Sequence, residues 1–466
     1  MTCGMDRSVM FQREVQSAST NQPLPCDIVI GCDFGTSCTK VVLQSPDVAD
    51  GRAMVVCFGE LGHPINNHLL PTRLYYDSKG ICSLSATSNS FCATGLKLKF
   101  LQQPDEAEVH SDFKVIPITL AIAYLALLFR VVRAWFFETQ EQIYGQFRIR
   151  WQCNLGIPSP GYRDEEEREL FRLIAVDGWR FSLGDAPVSL EKIWRYFVGE
   201  YDSNHKLDIH VDDIQVVPEV VAEVTGYARS HQRENGLHVL IDIGASTVDI
   251  CGFNLFHRES EDRYAILTSD LAHLGAFHCH RERVRRIREY FHRWFAHLAT
   301  RTDLILPVDA SLSEYFPIRN DFGPNAEKEI LDEFYHQCFS LIHRTLRFLK
   351  KERDPLSDRW KTGLPIFLCG GGKSLEIYQN VLEHLNQFWC TSMATRGFKL
   401  LNLPAPSSLI ADDIETQCFD RFAVAYGLSF RFLDIGEVRA PFEIENVAVD
   451  QKLKYEGIEY VSKDMV

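Results

Sequence analysis

No stretch of this 466-residue chain carries the G-x-x-x-x-G-K-[ST] spacing of a Walker loop, and none carries the G-x-G-x-x-G of a dinucleotide fingerprint. Nor do its 14 cysteines form a C-x-x-C pair or any regular framework. That argues against structural zinc and a disulfide scaffold, and for a reducing, cytosolic setting. His278-Cys279-His280 is no exception, because neighbours on a helix diverge around its axis. Positive charge is in deficit: 49 Lys and Arg stand against 63 Asp and Glu, a formal net charge of −14. A nucleic-acid backbone is therefore not expected as the main partner. Long apolar runs are scarce too. The longest, Val115 to Phe137, contains Pro117 and is broken by Arg130 and Arg133 after about fourteen apolar residues, short of the roughly 20 that a bilayer needs. It reads as a buried core helix, so no membrane span is expected. No secretory signal opens the chain, and the polar residues 1–25 are expected to be a loose leader.

What is present is a pattern repeated at a distance. Ile28-Val29-Ile30-Gly31-Cys32-Asp33-Phe34-Gly35-Thr36-Ser37, Val239-Leu240-Ile241-Asp242-Ile243-Gly244-Ala245-Ser246-Thr247-Val248-Asp249 and Ile366-Phe367-Leu368-Cys369-Gly370-Gly371-Gly372-Lys373-Ser374 share one design. Each is an apolar run of strand length that breaks into glycine and small hydroxyl residues, the signature of a buried strand ending in a tight turn. Glycine lets backbone N–H groups approach a phosphate, and hydroxyls add donors. An Asp at the break would repel a phosphate, so its natural work is to hold a hydrated cation beside one. Two such turns facing each other would clamp a polyphosphate.

In order and separation these segments resemble the actin-like ATPase superfamily, which includes actins, sugar kinases and the seventy-kilodalton heat-shock chaperones. The first looks like the phosphate-1 loop, the second like phosphate-2 and the third like the adenosine loop. Val217-Pro218-Glu219-Val220-Val221-Ala222-Glu223-Val224-Thr225-Gly226-Tyr227-Ala228 resembles the first connecting helix, and Phe422-Ala423-Val424-Ala425-Tyr426-Gly427-Leu428-Ser429 the second, where small residues let two helices cross closely. The five pieces fall in family order across residues 28–432. Asp-x-Gly-x-x-Thr-x-Asp at 242–249 and Ala-Tyr-Gly at 425–427 bring the chain closest to the chaperone ATPase domain.

The resemblance implies an α/β fold of two duplicated ribonuclease-H-like domains, each a mixed sheet flanked by helices, with a nucleotide cleft between them. Expected boundaries are a leader at 1–25, a first lobe at 26–235 with an inserted subdomain at about 61–114, and a second lobe at 236–418. A connecting helix at 419–440 would return to the first lobe, ahead of a tail at 441–466. The repeat of 28–43 at 239–255 points the same way. Length alone calls for two or more compact units. A helix over 163–176, with Asp164, Glu165, Glu166 and Glu167 leading, suits its own dipole. Another spans 327–352. The arginine-rich stretch 281–293 reads as a solvated helix face, or alternatively as a dock for an acidic partner.

The chemistry implied is Mg²⁺-assisted ATP hydrolysis. Gly35, Thr36 and Ser37 would hold phosphates from one side, and Gly244, Ala245, Ser246 and Thr247 from the other. Asp33 and Asp242 would orient Mg²⁺ through its waters, while Glu219 or Asp249 positions the attacking water. Lys97 resembles the chaperone-family lysine that reaches the γ-phosphate, with Lys99 as its competitor. Gly370, Gly371 and Gly372 would lie against the adenosine, with Lys373 and Ser374 at its rim. Departures exist: Ala245-Ser246 replaces two glycines, Glu219 follows Pro218, and Arg421 stands where the chaperones have an acid. Only about thirty residues follow 432, so a complete chaperone with its own client-binding domain is not expected. Three function classes remain: a nucleotide-dependent switch binding ATP and ADP and reporting to a protein partner, a small-molecule kinase, and an actin-like filament former. Asp33 to Lys40 also resembles the opening of sugar kinases, which often carry a Lys at the end of this loop.

Overall fold

The apolar runs alternate in the way a sheet with two covered faces requires. In Cys38–Gln44, Val41 and Leu43 join one core while Val42 joins another. The structure, a computed structural model, describes residues 23–46, 52–64, 66–102, 108–109, 114–158, 164–202, 207–258, 261–282, 326–410 and 416–444. Most of the expected leader, the stretch 283–293 of the arginine-rich helix and the tail from 445 lie outside the described residues.

Two mixed sheets dominate. The first is built from β1 (Pro25–Asp33), β2 (Cys38–Gln44), β3 (Ala53–Val55), β4 (Arg148–Ile157) and β5 (Ile214–Pro218), in the order β5-β4-β1-β2-β3. The second contains β6 (Gly236–Ile243), β7 (Val248–Arg258), β8 (Glu261–Ala272), β9 (Leu364–Cys369) and β10 (Phe398–Leu401), in the order β10-β9-β6-β7-β8. In both, the first three strands run antiparallel and the fourth joins the first in parallel. Each sheet then gains a short parallel strand at the far edge: Leu409–Ile410 beside β3 and Glu437–Arg439 beside β8.

The main helices fall in matching places. In the first half, α1 (Pro117–Tyr144) precedes β4, α2 (Glu165–Ser182) precedes β5, and α3 (Glu219–Ala228) follows it. In the second, α4 (Ala326–Phe348) precedes β9 and α5 (Glu376–Ser392) precedes β10. Helix α1 starts with Pro at its first turn, where a missing N–H costs nothing. It is the one helix among the described residues long and apolar enough to cross a membrane, and 67% of its apolar window is buried within the protein. Helix α2 is longer than expected and begins at 165, because Asp164 stands outside it as a cap. The Asp164 carboxylate accepts from the Glu166 and Glu167 N–H groups at 2.9 and 3.4 Å.

Three cores result. One lies between the first sheet and α1 and α2, and a second between the other sheet and α4 and α5. The third fills the space between the sheets and is built around α3 and α6 (Ala423–Leu428). These two helices cross closely: a Cβ on Gly427 would lie 1.7 Å from the Ala222 carbonyl oxygen, and one on Gly31 would lie 2.1 Å from that of Ala425. His238 sits at the back of this layer, fully buried and stacked between Phe253 and Phe367 at 5.5 and 5.9 Å. Its Nδ1–H donates to the Gly236 carbonyl at 2.8 Å, and its Nε2 accepts from the Tyr227 hydroxyl at 3.3 Å.

Connections differ from expectation in two places. Leu409–Ile410 already belongs to the first sheet, ahead of residue 419. The segment 419–440 is not one helix: it passes through α6, which packs on β1, β2, β4 and α3, and ends as a strand of the second sheet. Within 61–114, Leu70–Pro71 pairs with β2, whereas Arg73–Tyr76, Cys82–Ser83 and Phe91–Thr94 form a small sheet of their own.

Candidate functional site

The hairpin of β1 and β2 ends its ladder with Asp33 directly opposite Lys40, and the two side chains form an ion pair at 2.7 Å. Gly35 makes the turn possible, because a Cβ there would lie 2.4 Å from the Cys38 carbonyl oxygen. Its N–H donates to the Asp33 carbonyl at 3.0 Å. The hairpin of β6 and β7 closes in a related way. Gly244 N–H donates to the Thr247 carbonyl at 2.9 Å, and Asp242 stands opposite Asp249. The carbonyls of Gly244, Ala245 and Ser246 are occupied by the N–H groups of Ala276, Phe277 and Gly275 at 3.0, 2.6 and 3.1 Å. Among the described residues, the N–H groups of Thr36, Ala245 and Ser246 donate to no protein acceptor. Backbone donors left over in a glycine turn are what an anion uses.

The third turn packs onto the second. Gly370 takes φ +81°, and a Cβ on it would lie 2.1 Å from Asp242 Oδ1, so only glycine fits. Gly372 N–H donates to the Ile243 carbonyl at 2.9 Å. Gly371 faces the Arg421 guanidinium, Lys373 forms an ion pair with Asp420, and Ser374 is exposed.

From the other side comes α3. Glu219 opens its first turn and forms an ion pair with Lys97 of the helix Leu96–Gln102. Lys97 is buried, whereas Lys99 is exposed. Glycine again makes room: a Cβ on Gly156 would lie 3.0 Å from Glu219 Cγ. One turn along α3, Glu223 is 2% exposed.

These groups act on one another. Burial first, then the Glu219 and Asp33 charges, push the Asp242 carboxyl up to about 7, against the pull of Lys40 and Lys97. Burial and the Asp242 charge hold the Glu223 carboxyl well above the usual range. Burial alone would lower the Lys40 ammonium, but the Asp33 charge and hydrogen bond outweigh it and raise its pKa. Asp33, Lys40, Lys97, Glu219, Glu223 and Asp242 therefore form one cluster at the meeting of the two hairpins. Acids outnumber bases in it, a balance that suits an added cation.

Among the described residues no three His, Cys, Asp or Glu side chains converge as direct metal ligands. Asp33 and Asp242 bring carboxylate oxygens, the kind of donor that a hard cation takes. Of His278, Cys279 and His280, the last two are buried, whereas His278 is only partly buried, beside the ring of His273.

Glu223, Lys40 and the pair Asp420–Arg421 were not among the expected site residues. Glu223 had a signal in its i, i+4 spacing from Glu219, which puts both on one helix face. Lys40 had one in hairpin register, seven residues after Asp33. The sequence matches no known protein-family profile, and no curated protein aligns with it significantly.

Proposed function

We propose that this chain is an ATP-binding, Mg²⁺-dependent ATPase of the actin-like superfamily, near the chaperone ATPase domain, acting in the cytosol as a nucleotide-dependent switch for a protein partner. One observation carries the proposal: two Asp-bearing glycine hairpins, from two sheets of identical strand order, meet in a single carboxylate–lysine cluster. The shared order and the matching helices support two ribonuclease-H-like halves related by duplication.

On this account Thr36, Ala245 and Ser246 offer N–H groups to the phosphates, with Gly35, Ser37, Gly244 and Thr247 shaping the two turns. Gly370, Gly371 and Gly372 present flat backbone to the adenosine, and Lys373 and Ser374 flank it. Asp33 and Asp242 would hold a Mg²⁺ through its waters, and that ion would supply charge neutralisation on the phosphate oxygens. Glu219 orients a water and takes its proton as the water oxygen bonds to the γ-phosphorus and the bond to ADP breaks. Lys97, already against Glu219, lies where γ-phosphate charge would be met. Asp249, across the ladder from Asp242, is the alternative orienter.

The test is turnover by purified protein. Asp242→Ala should cut ATP hydrolysis by about 100-fold or more, the usual scale for losing a central electrostatic group, while the circular dichroism spectrum stays native. Unchanged turnover in that variant ends the assignment. A small-molecule kinase is the second account, favoured by Lys40 standing in the cluster. It would show itself as ATP consumption strongly stimulated by one metabolite.

A further inference from the structure

Helix α6 lies along β1 in a fixed direction. Ser429, just past its end, donates to Gln44, whose register partner is Val29. Further up, a Cβ on Gly31 would lie 2.1 Å from the Ala425 carbonyl oxygen. Counting back along α6 therefore climbs β1 toward Asp33, where the hairpin closes against Lys40. Arg421 stands two residues ahead of the helix, at that end, and is only partly buried. Its neighbour Asp420 is anchored by the ion pair with Lys373, and a Cβ on Gly371 would lie 3.5 Å from Arg421 Nη2 and 3.7 Å from Nε. The guanidinium thus lies against the third turn, while the helix it precedes leads to the end of the first hairpin. Its charge is felt there: burial first, and the Arg421 charge to a lesser degree, act to lower the Lys40 ammonium, which Asp33 more than offsets. Among the described residues Arg421 has no carboxylate or carbonyl partner. A guanidinium carries five N–H donors in a planar fork and is always charged, and the anions that match the fork are carboxylate and phosphate. The resemblance drawn from the sequence puts an acid at this position, so the guanidinium belongs to this chain and not to the pattern it resembles.

We propose that Arg421 is a specificity-determining residue that grips the diphosphate of the bound nucleotide with its guanidinium fork. On the assignment above, the third turn lies against the adenosine and the first hairpin against the phosphates. The diphosphate is the part of the ligand that passes from one to the other. That the ligand is an adenine nucleotide rests on the ATPase proposed above; that Arg421 takes a diphosphate does not. Its work is binding alone, and no bond forms or breaks at the guanidinium.

The experiment is calorimetric titration of the full chain, with Mg²⁺ present, against ADP, adenosine and inorganic pyrophosphate. In Arg421→Ala the dissociation constants for ADP and pyrophosphate should rise about 10- to 100-fold, the range for a lost hydrogen bond to a charged group, with adenosine within about threefold of wild type. Arg421→Lys keeps the charge but loses the fork, and should fall in between. The ligand-free melting temperature of Arg421→Ala should stay at that of wild type, because no protein partner is lost. Should Arg421→Ala not fold, Arg421→Gln takes its place in the titrations. Equal weakening for ADP and adenosine would mean that Arg421 only shapes the turn at Gly371, and overturns the proposal. Unchanged affinity for ADP and pyrophosphate overturns it too; if ATP turnover is then normal, the ATPase proposal stands without it. Wild type that takes up pyrophosphate through Arg421, yet neither binds ADP nor hydrolyses ATP, keeps the diphosphate grip and removes the ATPase proposal. Wild type that binds none of the probes ends both.

Discussion

At the scale of single residues, the structure places ionisable groups where burial, rather than solvent, decides their charge. His238 is the clearest case. Burial, helped by the Arg359 and Arg233 guanidinium groups, pushes its imidazole down to about 4, against the Gly236 carbonyl and Glu234. Its hydrogen bonds to Gly236 and Tyr227 fit the neutral ring with the proton on Nδ1. The unfolded chain takes up a proton below the ordinary value near 6.5, and the folded chain does not until about pH 4. Stability from this site is therefore complete above pH 6.5 and drains away as the pH falls toward 4, by about 3 kcal/mol in all. Urea midpoints of wild type and His238→Gln, compared across that interval, should show the smaller acid loss in the variant. Parallel curves would mean that His238 charges without resistance. Nothing in the residues around 238 shows that two distant phenylalanines enclose the ring, so this site was not legible in the sequence. The aspartates at 33 and 242, which the structure brings into one cluster, stood out because each is a lone acid breaking an apolar strand beside glycine. Glu223 was legible only through its i, i+4 spacing from Glu219, because an acid within a helix ordinarily faces water.

At the scale of elements, the hairpins and the helix crossing carry the architecture. The expectation that small residues in 422–429 allow two helices to cross matches the geometry, with Gly427 laid on the backbone of Ala222. A methyl group there has no space, and the obstacle is backbone that cannot rotate aside. Gly427→Ala should therefore cost about 1–3 kcal/mol, as overpacking of a filled core does, read as a lower urea midpoint with an unchanged slope. A loss below about 0.5 kcal/mol, the scale of ordinary surface changes, would show that α3 and α6 can part without penalty. Glycine at such a crossing can be read from sequence because its neighbours are apolar and helical. The edge strands Leu409–Ile410 and Glu437–Arg439 cannot, since two or three residues carry no period.

At the scale of the whole molecule, the chain passes repeatedly between the sheets. It leaves the first after α3, returns at 409–410 and again at α6, then ends its described course on the second sheet at 437–439. The first sheet is completed by residues nearly two hundred positions after its last long strand. Asn154 donates to the Leu428 and Phe430 carbonyls, each at 2.7 Å, and Ser429 donates to Gln44 at 3.0 Å. A fragment ending at 235 would expose these groups together with the face of Val42 and Val55. It should aggregate or unfold without cooperativity in a thermal melt followed by circular dichroism. A sharp transition from that fragment would show that the first half is autonomous. The mixed sheets flanked by helices were visible in the repeat of strand and turn, but their interlacing was not, because pattern along a chain says little about which distant edge a short strand will join.

The two hairpins are alike in backbone and unlike in charge. In one, an acid looks across the ladder at a lysine; in the other, an acid looks across at a second acid. Charge around their meeting point is thus uneven from one side to the other. If the proposed nucleotide binds there, its anionic end and escorting cation should find one orientation downhill and the reverse uphill.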